Sequence, residues 1–338
     1  MRIACVKSDV YQDLWVCDIS NNQLEIFKTS MMRCPPIGLL ELCPETDFII
    51  LKESHEPPCQ FNQNCLPKEN KVDLKFSKTR KNPTLPFLDE THHNDRTIDS
   101  CSHDVDSIDW SKYDIVITVN TCVPFRIIDT FPNVLWCYYV GENNDHLMYN
   151  KIGTYDIILN QDVTKQVPDF SVGFPYSFIG PTTLERLLGL SDEPKHGVFM
   201  EINNTQERPV VTIPKPFIDI SHVAPIIIHS QDILVNLKNL CRSKYFVKLL
   251  GRHIRGNSVL EAVSAGSLVM MDKRHVTFHE LVGHHVECAD DVIKAIVYYD
   301  ANPDAYTTVI QKQRDTLQKL YFEEPMRKLV LKLKTVHE

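Results

Sequence analysis

The segment Tyr245–Asp272 constrains the fold more than any other part of the chain. It begins with the apolar run YFVKLL, which is typical of a buried parallel strand. After a glycine-containing basic loop, the run SVLEAVSA predicts a helix that begins near Asn257 or Ser258, both good N-cap types. Ala265 and Gly266 are expected to end this helix, and SLVMMD to form the next strand. The order of strand, loop, helix and strand predicts a βαβ unit.

The loop of this unit has features that suit an anion. It carries Arg252, His253 and Arg255 and ends at Gly256. The helix start that follows offers free N–H groups and the positive end of the helix dipole. Glu261 lies about one turn further along the helix, beside the same site.

Two interpretations of this loop remain open. In the first, the arginines hold a nucleotide diphosphate and Glu261 accepts hydrogen bonds from ribose hydroxyls. In the second, the segment is an ordinary βαβ unit with solvated arginines, and Glu261 forms a surface ion pair. The pattern of residues by itself does not decide between them.

The last third of the chain resembles the donor-binding core of GT-B glycosyltransferases, which transfer a sugar from a nucleotide sugar to an acceptor. The resemblance rests on pieces that follow one another in the same order, GNSVLEAVSAG, SLVMMD, FHELVGHHVECADD and VIKAIVYY. The preceding stretch HSQDILVNLKNLCRSKYFVKLLG is similar to exostosin-like members. The resemblance implies an α/β fold of the GT-B type, in which two Rossmann-like domains face each other across a cleft.

The resemblance also implies which residues bind the donor. The arginines would stabilise the leaving diphosphate, and Glu261 the ribose. The whole set assigned to the nucleotide sugar is Lys248, Arg252, His253, Arg255, Gly256, Asn257, Ser258, Glu261, His229 and Glu280. Lys248 could point either to the cleft or to the helix layer. The loop at His229 lies near the nucleotide in the resembled fold, although Ser230 there would serve equally well as a helix cap.

One position departs from the retaining family-four enzymes. Those enzymes have a further glutamate eight positions before the one that Glu261 matches, and here His253 stands at that position. The choice between inversion and retention of configuration is therefore left open. A catalytically silent protein of the same fold, which binds glycan or nucleotide, is the alternative that this departure favours.

An inverting reaction would need a base from the N-terminal domain, at the carboxyl end of a strand. The loop GENNDH follows the apolar strand NVLWCYYV and offers Glu142 and His146. The loop SDVYQD follows the first strand and offers Asp13. Glu142 is the first choice because it comes almost directly after the strand, while the alternative is that all three are ordinary polar loop residues.

The length of 338 residues suits two domains. We expect an N-terminal acceptor domain over residues 1–180 and a donor domain over residues 181–338, with the last helix crossing back to the first domain. A polar insert is expected at about residues 53–109, because apolar periodicity is lost there. The chain has no early GxGxxG motif, which disfavours an NAD-linked enzyme.

Composition excludes several classes of function. The formal net charge of −8 argues against nucleic-acid binding, and no apolar run approaches the roughly 20 residues of a membrane span. The 11 cysteines are odd in number, and many lie in apolar runs, so free thiols in a cytoplasmic protein are expected.

No metal site and no prosthetic group are expected. The run HELVGHH has Gly283 where a zinc protease needs its second ligand, and the acidic pair Asp104 and Asp106 lies in the polar insert. The expected partners are a UDP- or GDP-sugar donor and a glycan or another hydroxyl acceptor, with metal-independent transfer.

Overall fold

The computed structural model is α/β and divides into two compact units. Unit 1 comprises Met1–Ser177 and Leu320–Glu338, and unit 2 comprises Phe178–Lys319. Each unit contains one parallel, doubly wound sheet, so the predicted α/β class with two Rossmann-like sheets is confirmed. The structure describes residues 1–8, 15–20, 23–28, 42–43, 46–51, 102–119, 121–140, 153–160, 168–174, 180–181, 184, 194–201, 215–229, 233–249, 257–274 and 278–337.

The strands of unit 1 include a hairpin that the sequence analysis did not predict. They are β1 (Ile3–Ser8), β2 (Trp15–Ser20), β3 (Gln23–Lys28), β4 (Asp47–Leu51), β5 (Ser102–His103), β6 (Ile115–Val119), β7 (Leu135–Tyr139), β8 (Ile157–Asn160) and β9 (Ser171–Gly173). β2 and β3 form the antiparallel hairpin. The others form a parallel sheet in the order β5-β4-β1-β6-β7-β8-β9, in which the direction of the connections reverses between β1 and β6.

Both faces of this sheet are buried, as a parallel sheet requires. Val6 and Val116 lie in one core layer with Trp110, whereas Cys5 and Ile117 lie in the layer on the opposite face. The continuous apolar runs of β6 and β7 follow from this, since every residue of both strands is buried.

Unit 2 is built on a smaller sheet. Its strands are β10 (His196–Met200), β11 (Ile226–Ile228), β12 (Ser243–Lys248), β13 (Leu268–Asp272) and β14 (His284–Val286), in the parallel order β11-β10-β12-β13-β14. Within the described residues the α-helices are α1 (Phe125–Ile128), α2 (Lys215–Ser221), α3 (Ile233–Arg242), α4 (Asn257–Ala265), α5 (Ala289–Ala301), α6 (Pro303–Gln318) and α7 (Glu324–His337). The sequence also predicts a strand at PVVTIP, and those residues lie outside the part of the chain that the structure describes.

Helix α4 begins and ends where the sequence predicts. Gly266 follows it with φ of 76°, a conformation that glycine adopts without strain. The Ser267 N–H donates to the Ala262 carbonyl at 2.8 Å, and the Gly266 N–H donates to the Val263 carbonyl at 2.9 Å. These two bonds form a Schellman cap, which stops the helix and turns the chain into β13.

The C-terminal helix α7 belongs to the core of unit 1. Leu329 is completely buried there, and Met326, Leu333 and Val336 pack against the same layer at helical spacing. Between α6 and α7, Lys319–Glu323 form a π-helical segment. Pro325, the second residue of α7, has no N–H to donate to the preceding turn, which accounts for the irregular bonding before it.

Three further expectations concern the insert, membrane spans and the cysteines. Residues 102–109, the end of the expected insert, include β5, which pairs with β4, and the buried Val105; residues 52–101 lie outside the described residues. Among the described helices, none is long and apolar enough to cross a membrane. Six cysteines are free thiols, namely Cys5, Cys43, Cys122, Cys137, Cys241 and Cys288.

Candidate functional site

The topology of unit 2 defines where a ligand is expected. From β10 the chain passes through α2 to β11 on one side, and then through α3 to β12 on the other side. In open α/β sheets with this strand order, ligands bind outside the carboxyl ends of the strands at the point where the connections diverge. In unit 2 this point lies between β10 and β12.

A buried ion pair occupies the switch point. Lys248 is the last residue of β12, and Glu201 directly follows β10. Met200 and Val247 are paired in register, and the Glu201 N–H donates to the Val247 carbonyl at 3.2 Å. The Lys248 Nζ lies 3.7 Å from the Glu201 Oε2, and the side chains are only 3% and 10% exposed.

Both members of the pair lie on the same face of the sheet. Residues two apart on a strand point to the same face, so Glu201 shares a face with Phe199, and Lys248 with Phe246. Phe199 and Phe246 are partners in register, so all four side chains lie on one face of the sheet. The two phenylalanine rings are stacked, with centroids 5.7 Å apart. The orientation of Lys248, which the sequence left open, is therefore toward Glu201. His229 completes the group, because its ring lies 6.2 Å from that of Phe199.

The predicted anion loop leaves the sheet at this edge. β12 ends at Lys248 and α4 begins at Asn257, so the first turn of the helix lies at the carboxyl edge, where its N–H groups can meet an anion. Ser258, in that turn, is buried. Arg252, His253, Arg255 and Gly256 lie outside the described residues, and their roles stay predictions.

Glu261 is completely buried in α4. This excludes the alternative in which it forms a surface ion pair. The pKa of the Cys241 thiol on α3 is raised, mainly by burial, while the charge of Lys195 lowers it. The charge of Glu261 also raises this pKa, so Glu261 lies within electrostatic range of α3.

Glu280 follows a strained residue. Phe278 adopts φ of 63°, in the left-handed region that costs a bulky side chain about 1–3 kcal/mol. Phe278 is the N-cap of the short 3-10 helix His279–Leu281, which contains the half-buried Glu280. His279 and His285 have ring centroids 5.9 Å apart, and burial with the charges of the neighbouring histidines lowers the pKa of His285. Within the described residues, no group of three potential ligands is placed to hold a metal ion.

The structure adds a guanidinium that the sequence analysis missed. Asp272, the last residue of β13, is buried and accepts hydrogen bonds from the backbone N–H of Arg274 at 2.9 Å and from its Nε at 2.8 Å. The side-chain hydrogen bond with Asp272 and the charge of that carboxylate raise the pKa of Arg274. The side chain of Arg274 is 63% exposed, at the carboxyl edge next to β12. An Asp-Lys-Arg run directly after a buried strand was the signal in the sequence.

The candidate bases of unit 1 all lie outside the described residues. Asp13 follows β1, and Glu142 and His146 follow β7. Because the sheet is parallel, β1 and β7 end at the same edge, which is where the two loops begin. Their catalytic roles stay predictions.

The carboxyl edge of the first sheet is held by buried polar contacts. The Tyr155 hydroxyl accepts the Val123 N–H at 2.9 Å and lies 3.0 Å from the Thr118 Oγ1. Burial raises the pKa of Tyr155 well above its usual value, so the hydroxyl stays neutral. These contacts fix the loop after β6, beside the switch point between β1 and β6.

No protein-family model matches the sequence, and no curated protein matches it. Several solved structures have a similar course of the chain. HepE from Anabaena in complex with UDP is 8% identical, with a TM-score of 0.47, over 99% of this chain and 100% of that chain. An alpha-glucosyltransferase in complex with UDP-glucose and DNA containing an abasic site is 11% identical, with a TM-score of 0.46, over 100% of both chains.

UDP-GlcNAc 2-epimerase from Neisseria meningitidis, bound to UDP-GlcNAc, is also 11% identical, with a TM-score of 0.45, over 99% of this chain and 100% of that chain. These three similarities, with TM-scores of at most 0.47, assign the chain to no family.

Proposed function

We propose that this protein is a GT-B glycosyltransferase, which transfers a sugar from a UDP- or GDP-sugar to a hydroxyl group of a glycan or another acceptor. The observation that carries the proposal is the switch point of unit 2. There β12 ends at Lys248, whose charge is balanced by Glu201, and the chain continues through a segment with two arginines to the N-terminus of α4. Cationic groups and free N–H groups at one sheet edge are suited to a diphosphate.

The chemistry required of unit 2 is stabilisation of the leaving group. When the bond between the anomeric carbon and the diphosphate breaks, negative charge develops on the phosphate oxygens. Arg252 and Arg255 would neutralise this charge together with the start of α4, so that transfer needs no metal ion. Glu261 and Glu280 would accept hydrogen bonds from the hydroxyls of the ribose or the donor sugar.

The acceptor must lose a proton to become a nucleophile. Glu142 is the proposed base, with Asp13 and His146 as the other candidates, because their loops follow strands that end at one edge of unit 1. Since His253 stands where a retaining family-four enzyme has a glutamate, either stereochemical outcome is compatible with the proposal.

Substitution of Arg255 by Ala tests the donor site. Loss of one guanidinium that contacts a phosphate should weaken UDP or GDP binding by about tenfold or more, because hydrogen bonds to charged groups are worth about 1.5–3 kcal/mol. Isothermal calorimetry measures the dissociation constant. Arg327→Ala is the matched control, because Arg327 is an exposed arginine of unit 1. Equal affinity of Arg255→Ala and wild type would refute the donor-site assignment.

A catalytically silent binding protein is the second candidate, and the histidine at position 253 is the observation that favours it. The two candidates differ in turnover. Incubation of the wild type with UDP- and GDP-sugars, with and without EDTA, should release nucleoside diphosphate if the protein is an enzyme. Tight binding without any release, even over long incubation, would favour the silent protein.

A further inference from the structure

The carboxylate of Glu201 lacks a hydrogen-bond donor on one oxygen. The Oε2 atom is buried, and within the described residues it makes no hydrogen bond. The ammonium of Lys248 is 3.7 Å away, which is an ion pair but too long for a hydrogen bond. Buried polar atoms of native proteins are nearly always hydrogen-bonded, so this exception calls for a donor that the described residues do not supply.

The position of Glu201 indicates where that donor comes from. The side chain is at the carboxyl edge of the sheet, at the switch point where ligands of such sheets bind. It lies on the face that carries the stacked rings of Phe199 and Phe246. A bound ligand at this point is therefore the natural source of the missing N–H or O–H.

The charge of Glu201 restricts the part of the ligand that it can contact. A carboxylate accepts hydrogen bonds and repels phosphate, so it suits a neutral, donor-bearing group. We propose that Glu201 accepts a hydrogen bond from the uncharged, hydroxyl-bearing part of the nucleotide sugar, and that Lys248 holds the carboxylate in place. This inference rests on the proposed function and adds a specificity-determining residue to the same site.

Glu201→Gln tests the inference with two probes. The first is the UDP- or GDP-sugar that gives the wild type its largest thermal shift, and the second is inorganic diphosphate, which has no sugar. The variant keeps the size of the side chain but removes its charge. Its dissociation constant for the nucleotide sugar should rise about tenfold or more. Its affinity for diphosphate should stay the same or increase, because a negative charge near the anion has been removed.

A purely structural role for Glu201 gives a different result. If Glu201 only neutralises Lys248, the affinities for both probes change by the same factor, and the inference is overturned. If Glu201→Gln does not fold, Glu201→Asp replaces it. That variant keeps the charge but shortens the side chain by one methylene. It should weaken the binding of the nucleotide sugar and leave the binding of diphosphate unchanged.

Asp300→Asn is the matched control. Asp300 forms an ion pair with Lys244, and the two charged atoms are 2.6 Å apart. Lys244 is at the amino end of β12, the strand that Lys248 ends, so this ion pair lies at the opposite edge of the sheet. Its removal should change the affinity for neither probe. If the wild type binds no UDP- or GDP-sugar, the proposed function fails. If the wild type binds one and Glu201→Gln leaves the ratio of the two affinities unchanged, only the inference fails.

Discussion

The pair of Glu201 and Lys248 should be strongly coupled in the stability of unit 2. At the observed separation of 3.7 Å, and with an effective dielectric constant of about 20, the Coulomb attraction is about 4.5 kcal/mol. Desolvation of the two charges costs several kcal/mol per ion and offsets much of this. The net value of the pair is therefore small, but removal of one partner leaves the other charge buried and uncompensated.

A double-mutant cycle measures this coupling. Lys248→Met alone should lower the free energy of unfolding by about 3–5 kcal/mol, because it leaves a buried carboxylate. The double variant Lys248→Met with Glu201→Gln should regain most of that loss, since no charge then remains. We expect a coupling energy of about 2–4 kcal/mol from urea denaturation of the wild type, the two single variants and the double variant.

Two spectroscopic signals separate the units in this experiment. Far-ultraviolet circular dichroism follows both units, whereas tryptophan fluorescence follows unit 1, which contains all 3 tryptophans, Trp15, Trp110 and Trp136. The destabilisation should appear in the transition seen by circular dichroism. A coupling energy below about 0.5 kcal/mol, or a loss seen only by fluorescence, would refute the reasoning.

Lys195 and Leu329 provide two further tests. Burial lowers the pKa of Lys195 to about 8, so near and above that pH the unfolded chain binds more protons than the folded chain. The free energy of unfolding should therefore rise by about 1 kcal/mol between pH 7 and 9. Lys195→Met should abolish this rise when variant and wild type are compared by urea denaturation at both pH values. A rise of equal size in the variant would contradict the assignment. Leu329 is completely buried in unit 1, so Leu329→Ala should cost about 2–5 kcal/mol in the transition followed by tryptophan fluorescence, whereas an unchanged midpoint would argue against this packing.

Most central strands could be predicted because their apolar runs are continuous. Strands β6, β7 and β12 are buried on both faces, and this leaves a clear signal in the sequence. The hairpin of β2 and β3 was missed, although Asn21 and Asn22 separate two runs with alternating character, which is a hairpin signal. β5 and β9 were missed because strands of two or three residues carry no measurable periodicity.

The candidate site was predictable only in part. The positions of Lys248 at the end of a strand and of Glu261 in the following helix could be predicted, because local order along the chain determines a strand, a loop and a helix start. Glu201 could not, because it ends a strand far away in the sequence, and only the pairing of β10 with β12 brings it to Lys248. Arg274 was overlooked because an exposed basic residue after a strand is common, and only the buried Asp272 shows that it is held in place.

The sequence by itself determined the order of the elements, since hydrophobic periodicity, helix caps and glycine positions act over a few neighbouring residues. The tertiary structure decided everything that depends on contacts between distant segments. It set the strand order and thereby the switch points, packed α7 into unit 1, and buried a lysine against a glutamate at a sheet edge. The physical reason is that register and burial belong to the whole sheet, whereas the pattern of a single segment records only which of its faces is apolar.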